Sequence, residues 1–400
     1  MQLGWIDFSK EDRQKALDVI NLLVEQTAVD ELGIGIVRDA FANYFFPGTS
    51  TIQTRAKYFL IVSYVLKEAV DGRYGKDVNR ILSKIDSEEK ECGIRLLKAD
   101  EKAEGIIGTR VLPRGWVSRK PSDVYWNGIR AYGIFCQDNL SISQYIAQAI
   151  KLKEQKAMVK LGNRNDDGEE NDRDDSDAGD ISHIRFWNLP VYNEKWRENL
   201  TIELTGEEAY YLDKQIQKST EGTLLDYILK NHIDLNEYEG FAEMAAVLKN
   251  KVTPQLADMM KLACDFSDLI YMARVRYNVI LSEGENDEAL DEWKRVKKKM
   301  KQRAKVDLDA VFRKLKLDNK STYIFLCKLK EAFIQSDIDA VDKHIRKREI
   351  QLKGINRAKL NRTKEFEPSK WVGGRELNYR FSTARRIVND IYTGERNTDV

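Results

Sequence analysis

The sequence predicts a mainly α, multi-helical chain of two or three subdomains, with at most a few short strands. Three observations carry this. Apolar residues recur at helical spacing in segment after segment. Helix-start signals stand just before several of those segments. Only 6 prolines occur in 400 residues, which argues against a loop-rich all-β fold or a Pro-rich linker protein.

The elements follow in order. Ser9 and Asp12 form a capping pair ahead of Ala16, Leu17, Ile20, Leu23 and Val24, which share one helix face. A second helix is expected over Val37–Phe46, stopping at Pro47-Gly48. A third is expected directly after Thr49-Ser50-Thr51, carrying the apolar run YFLIVSYVL. GIIGTRVLPRG reads as a turn-rich connection, followed by a helix from Pro121 to Tyr132 and another opened by Ser141 or Ser143. The loop 133–140 between these two is longer than a helix-turn-helix uses, so a plain helical hairpin is the expectation. RFWNLPVYNEKW is aromatic and extended, LTIEL is a candidate short strand, and Thr205 with Glu208 forms a capping box. Thr253-Pro254 opens a long helix to about Ser282, with a core stripe of Met259, Leu262, Phe266, Leu269, Ile270, Ala273 and Tyr277. Composition then divides the chain into an N-terminal helical domain (1–155), an acidic linker (156–182), a central helical region (183–290) and a basic C-terminal helical region (291–400).

Charge is the most informative part of the composition. The net charge is +1, yet residues 293–390 hold 28 basic against 12 acidic residues, a net of +16, leaving −15 for the rest. Such segregation marks a basic binding surface. Asn165–Asp180 holds nine acidic residues and one arginine, and has too little apolar surface to order itself. It lacks the spacing of a calcium-binding loop.

The four cysteines, Cys92, Cys136, Cys264 and Cys327, are dispersed, with no CxxC pair. They fit buried free thiols in a reducing cytoplasm. The first residues have no basic-then-apolar pattern of a signal peptide. The run 58–66 is less than half of the roughly 20 residues a membrane span needs, so a buried helix and no membrane role are expected.

Catalytic signatures are missing. His183, His232 and His344 have no second metal-type ligand one helical turn away, and neither a GxSxG elbow nor a phosphate-binding P-loop occurs. No catalytic residue, metal site or cofactor is assigned. One anion site is worth testing. Thr49, Ser50 and Thr51 precede a helix with Arg55 one turn in, a set that could hold a phosphate, although a well-capped core helix is the favoured reading.

The basic C-terminal third is the clearest signal. Lys294–Lys305 has eight basic residues and no acidic one, closing a helix that begins acidic. Lys343–Lys364 has nine Lys/Arg against one Glu. At 100° per residue, Lys343, Arg346, Lys347 and Lys353 fall on one side of a helix ended by Gly354, opposite Ile338, Val341, Ile345 and Leu352. Arg357, Lys359 and Arg362 follow. A last helix, about Tyr379–Tyr392, packs Phe381, Ala384, Val388 and Ile391 and presents Arg380, Arg385 and Arg386. Long cations on one face, fixed by a packed opposite face, suit a phosphate backbone.

Several stretches resemble a bacterial family, domain-of-unknown-function family 6361. They are GWIDFSKEDR, AVDELGIGIVRDAF, FPGTSTIQTRAKYFL, RKPSDVYWNGIRAYGI and the tail LKGINRAKLNRTKEF…LNYRFSTARRIVNDI. The resemblance covers nearly the whole chain, and FPGTS…TRAKYFL is its most specific part. Ala28-Val29-Asp30 departs from the family's Gly-Thr-Val-Asp. The resemblance implies a product of mobile defence loci near helicases and nucleases, and assigns no reaction.

The expectation is therefore an accessory, non-catalytic subunit of an anti-phage system. It would grip nucleic acid through the basic region and hold a partner enzyme, a helicase or nuclease, elsewhere. The rival readings are a protein-only scaffold docking an acidic partner and a metal-dependent nuclease with dispersed ligands. In a variant of the scaffold reading, the chain's own Asn165–Asp180 masks the basic patch.

Overall fold

The computed structural model describes residues 30–72, 75–137, 139–162, 185–191, 193 and 195–396, with side chains 156–162 left out. The Ser9–Val24 helix, the acidic linker and His183 lie outside the described residues. In chain order the helices are α1 (Gly35–Phe45), α2 (Tyr58–Asp71), α3 (Val78–Ala99), α4 (Pro121–Ala131) and α5 (Ile142–Gly162). Then come α6 (Gly206–Ser219), α7 (Leu224–Lys230), α8 (Phe241–Leu248), α9 (Pro254–Leu281) and α10 (Asp287–Lys297). The last are α11 (Met300–Arg303), α12 (Leu308–Lys314), α13 (Lys320–Gln335), α14 (Ile338–Lys353) and α15 (Phe381–Arg396). The chain is mainly α, and the only β pairing among the described residues is an isolated bridge between Phe135 and Trp187. None of the described helices is long and apolar enough to cross a membrane.

Two compact units form, each from segments distant in sequence: Met1–Phe41 with Ala257–Leu377, and Ala42–Leu256 with Asn378–Val400. In the second of these, α2 is almost wholly apolar on all sides over Tyr58–Leu66 and is therefore a buried helix, packed by α3, α4 and α5. Its buried Ser63 hydroxyl donates back to Phe59 O at 2.7 Å. α6 packs on α15 so closely that a Cβ on Gly394 would lie 2.7 Å from that of Ala209.

In the other unit, the buried stripe of α9 is the one its spacing predicts, from Met259 to Tyr277. α13 and α14 form an antiparallel pair joined at Ser336, whose φ of 62° is left-handed, and at Asp337, which caps Ala340 N at 2.9 Å.

Three sequence expectations need correction. α2 begins at Tyr58, not directly after Thr51. The residues that promised a cap are spent on turns instead: the Thr49 hydroxyl donates to Phe46 O and the Ser50 backbone N–H donates to Gln53 Oε1. Leu200–Leu204 is not a strand. Leu200, Ile202 and Leu204 do alternate inward, but no described strand lies alongside to accept a ladder. The last helix begins at Phe381, because Tyr379 and Arg380 are both left-handed (φ 46° and 64°). Burial of the Tyr379 ring against Phe45 and Phe241 offsets that strain.

Candidate nucleic-acid interface

α14 holds the site because its two sides are chemically different. Val341 and Ile345 are buried, as the periodicity requires, while Ile338 and Leu352 are half-buried. The buried side also takes Arg348 and Glu349, which no local pattern separates from the other charges of the run.

Both are fully used. Arg348 donates to Leu32 O, Gly33 O, Ser321 Oγ and Thr322 Oγ1. Glu349 accepts from Tyr277 Oη at 2.8 Å, Lys353 Nζ at 3.0 Å, Lys359 N at 3.1 Å and Leu360 N at 3.0 Å.

This network divides the expected phosphate ligands. Lys353 and Lys359 are half-buried and converge on Glu31, at 3.6 and 3.0 Å. Burial works against the Glu31 carboxylate, but the Lys359 hydrogen bond and the two lysine charges outweigh it and hold its pKa below the usual value. These lysines are internal counter-ions. Arg362 is exposed and pairs with Glu365 at 3.2 Å.

Lys343 and Lys347 are exposed and have no carboxylate partner among the described residues. Arg346 and Arg357 are exposed too. Each is tethered by one backbone carbonyl, Leu360 O at 2.8 Å and Lys353 O at 3.0 Å, which fixes the guanidinium without neutralising it.

The structure adds Lys328, exposed on α13 and near enough to depress the His344 imidazole together with Lys343 and Lys347, after burial as the largest cause. Lys328 carried no signal in the sequence because the lysines of its helix form no basic run. Within the run 294–305, Lys294, Arg295 and Arg303 pair with Asp291, Glu292 and Asp268. Lys297, Lys298, Lys299, Lys301 and Lys305 are exposed without a carboxylate partner among the described residues. α11, inside this run, packs on α13.

Arg385 and Arg386 belong to the other unit. Arg385 donates to Tyr238 O at 3.2 Å and stacks over Phe381; Arg386 donates to Gln53 O at 2.9 Å.

The candidate anion site lies in that unit and already holds an anion, the chain's own Asp390. Arg55 Nε contacts both of its oxygens, at 2.9 and 3.0 Å, and Ala56 N donates to it at 2.7 Å. Thr49 is buried and Thr51 exposed, and neither joins Arg55 on the carboxylate. A small cleft of about 70 Å³ remains beside the pair. Among the described residues no group of three or more His, Cys, Asp or Glu is placed to hold a metal ion.

The motif residues have the same internal character. Asp30 braces the turn before α1, accepting from Leu32 N and Ile34 N at 3.2 and 3.3 Å. Gly33 is left-handed (φ 63°), and a Cβ there would meet Leu352 at 2.7 Å. In FPGTSTIQTRAKYFL, Gly48 (φ 77°) lies under the Tyr132 ring and Lys57 pairs with Glu208 at 2.5 Å. These motifs build the fold.

Comparison with curated proteins and with solved structures finds no match. The tail stretches 352–366 and 377–391 lie outside the family match, which ends at residue 163. Over residues 1–163, which carry AVDELGIG and FPGTSTIQTRAKYFL, the chain matches the model of the Family of unknown function (DUF6361), the family its motifs resemble.

Proposed function

We propose that this protein is an accessory, non-catalytic subunit that grips nucleic-acid backbone through the outer side of α14 and the adjoining side of α13. The observation that carries the reading is the set of exposed cations, Lys328, Lys343, Arg346 and Lys347, held by a packed opposite side and lacking carboxylate partners among the described residues. Such a face contacts phosphates without reading base edges. In the defence setting its motifs imply, the chain would bring a partner helicase or nuclease to foreign DNA or RNA.

The test is affinity for unrelated mixed-sequence duplexes across a salt series. Binding should fall steeply with salt and alike for each sequence. Reversing Lys343, Arg346 and Lys347 to Glu should lower the slope of log K against log salt by about 0.9 for each phosphate that is no longer neutralised. Unchanged affinity and slope would rule this face out as the grip.

A second reading, docking of an acidic protein partner, is favoured by Ile324 and Ile334, exposed on α13 among the cations. It predicts no duplex binding even at low salt.

A further inference from the structure

The register of α13 against α14 is fixed by side-chain contacts, among them three. Gln351 donates to Ser321 Oγ, Arg348 donates to Thr322 Oγ1, and the Arg348 guanidinium lies over the Phe325 ring. One turn further along, that register sets Lys328 across from His344. On α14 itself, Lys343 and Lys347 flank His344 one residue before and three residues after.

The charged groups facing His344 are therefore Lys328 from α13, Lys343 and Lys347 from its own helix, and Asp337 at the N-cap. The other elements packed on α14 spend their cations elsewhere: Arg276 of α9 on Asp342, and Lys359 on Glu31. His344 is half-buried and makes no hydrogen bond among the described residues. Burial first, then the three lysines, hold its imidazole below the usual 6.5, so it is neutral at pH 7.

Resting on the nucleic-acid reading above, we propose that His344 is itself a phosphate ligand, taking up one proton from solvent as a backbone phosphodiester settles among Lys328, Lys343 and Lys347. The phosphate charge cancels the lysine field and accepts a hydrogen bond from the imidazolium, so the bound form holds the proton to higher pH than the free form. The sign follows. The extra binding is fully present below the free pKa and is lost as pH rises through the bound pKa. Between the two, one linked proton weakens binding by up to about tenfold per pH unit. Phosphodiesters do not titrate in this range, so the proton belongs to the protein.

The experiment measures binding of the full chain and of His344→Gln to a short mixed-sequence duplex, at fixed ionic strength, from about pH 5.5 to about pH 8. The His344 ring titration is followed by NMR with and without the duplex. The expected result is a wild-type affinity that falls with rising pH, a flatter profile for His344→Gln, and a ring pKa that rises on binding. Equal pH profiles in the two proteins, or an unmoved ring titration, would overturn the role of His344 while leaving the phosphate grip intact. Absence of binding by the full chain at every pH and salt would overturn the nucleic-acid reading and this inference with it.

Discussion

Replacing Glu349 by Ala should destabilise its unit by about 4 kcal/mol, a figure that follows from what the carboxylate holds. The side chain is fully buried and accepts four hydrogen bonds. Truncation strands the backbone N–H groups of Lys359 and Leu360 and the Tyr277 hydroxyl, each costing about 1–3 kcal/mol where water cannot replace the acceptor. Lys353 keeps Glu31 at 3.6 Å, which limits its share. Recovering the desolvation cost of the carboxylate reduces the sum further, toward the roughly 3–5 kcal/mol seen when one partner of a buried pair is removed. Urea unfolding reads the loss, and amide exchange at Lys359 and Leu360 locates it. Glu349→Gln keeps one carbonyl acceptor and should lose about half as much. A Glu349→Ala protein within about 1 kcal/mol of wild type, with unchanged exchange at those two amides, would mean that the carboxylate does not hold this network together.

Other perturbations test neighbouring steps. Burial raises the Glu89 pKa to about 8, against the opposing hydrogen bonds from Ser122, so its contribution is full below about 4.5 and is lost as pH rises toward about 8. Glu89→Gln should flatten the fall in urea midpoint between those limits; an unchanged slope would contradict it. Gly48→Ala should cost about 2–4 kcal/mol, because φ is 77° and the new Cβ would lie 2.5 Å from the Tyr132 ring. A thermal midpoint equal to wild type would disprove that account. Asp390→Ala should lower the melting temperature by leaving Arg55 unpaired, and added sulfate should restore part of the loss if the vacated place binds an anion. Deleting Asn165–Asp180 should strengthen duplex binding at low salt if that acidic stretch competes for the basic face, and equal affinity would dispose of the masking idea.

Local features were legible in the sequence. The Pro254 start and core stripe of α9, the Thr205–Glu208 capping box and the Gly354 stop of α14 all depend on residues within a turn or two of one another. What escaped depends on distant partners. Nothing near Arg55 announces that its anion is Asp390, 335 residues away. Periodicity placed apolar residues on the inner side of α14, but it has no means of expressing a buried Arg348 or Glu349. Their burial is compensated by Leu32, Gly33, Tyr277 and Leu360, which come from three other segments. For the same reason Lys353 and Lys359 read as phosphate ligands when their charge is already taken by Glu31.

That capture of Lys353 and Lys359 bears on how the family motif relates to the basic face. Asp30 and Glu31 stand within the matched residues 1–163, yet their partners Arg274, Lys353 and Lys359 do not. Residues 30–41 pack in one unit with 257–377. The matched stretch is therefore not a self-contained domain. Part of it is a clamp on the inner side of the helix whose outer side carries Lys343, Arg346 and Lys347. A Glu31→Gln substitution should accordingly act on duplex binding only through position. It loosens α14, so any change in affinity would come with faster amide exchange at residues 359 and 360 and with no steeper salt slope. Tighter binding with exchange unchanged would mean that Lys353 and Lys359 reach phosphate without disturbing the helix, and the division between internal and external cations would be wrong.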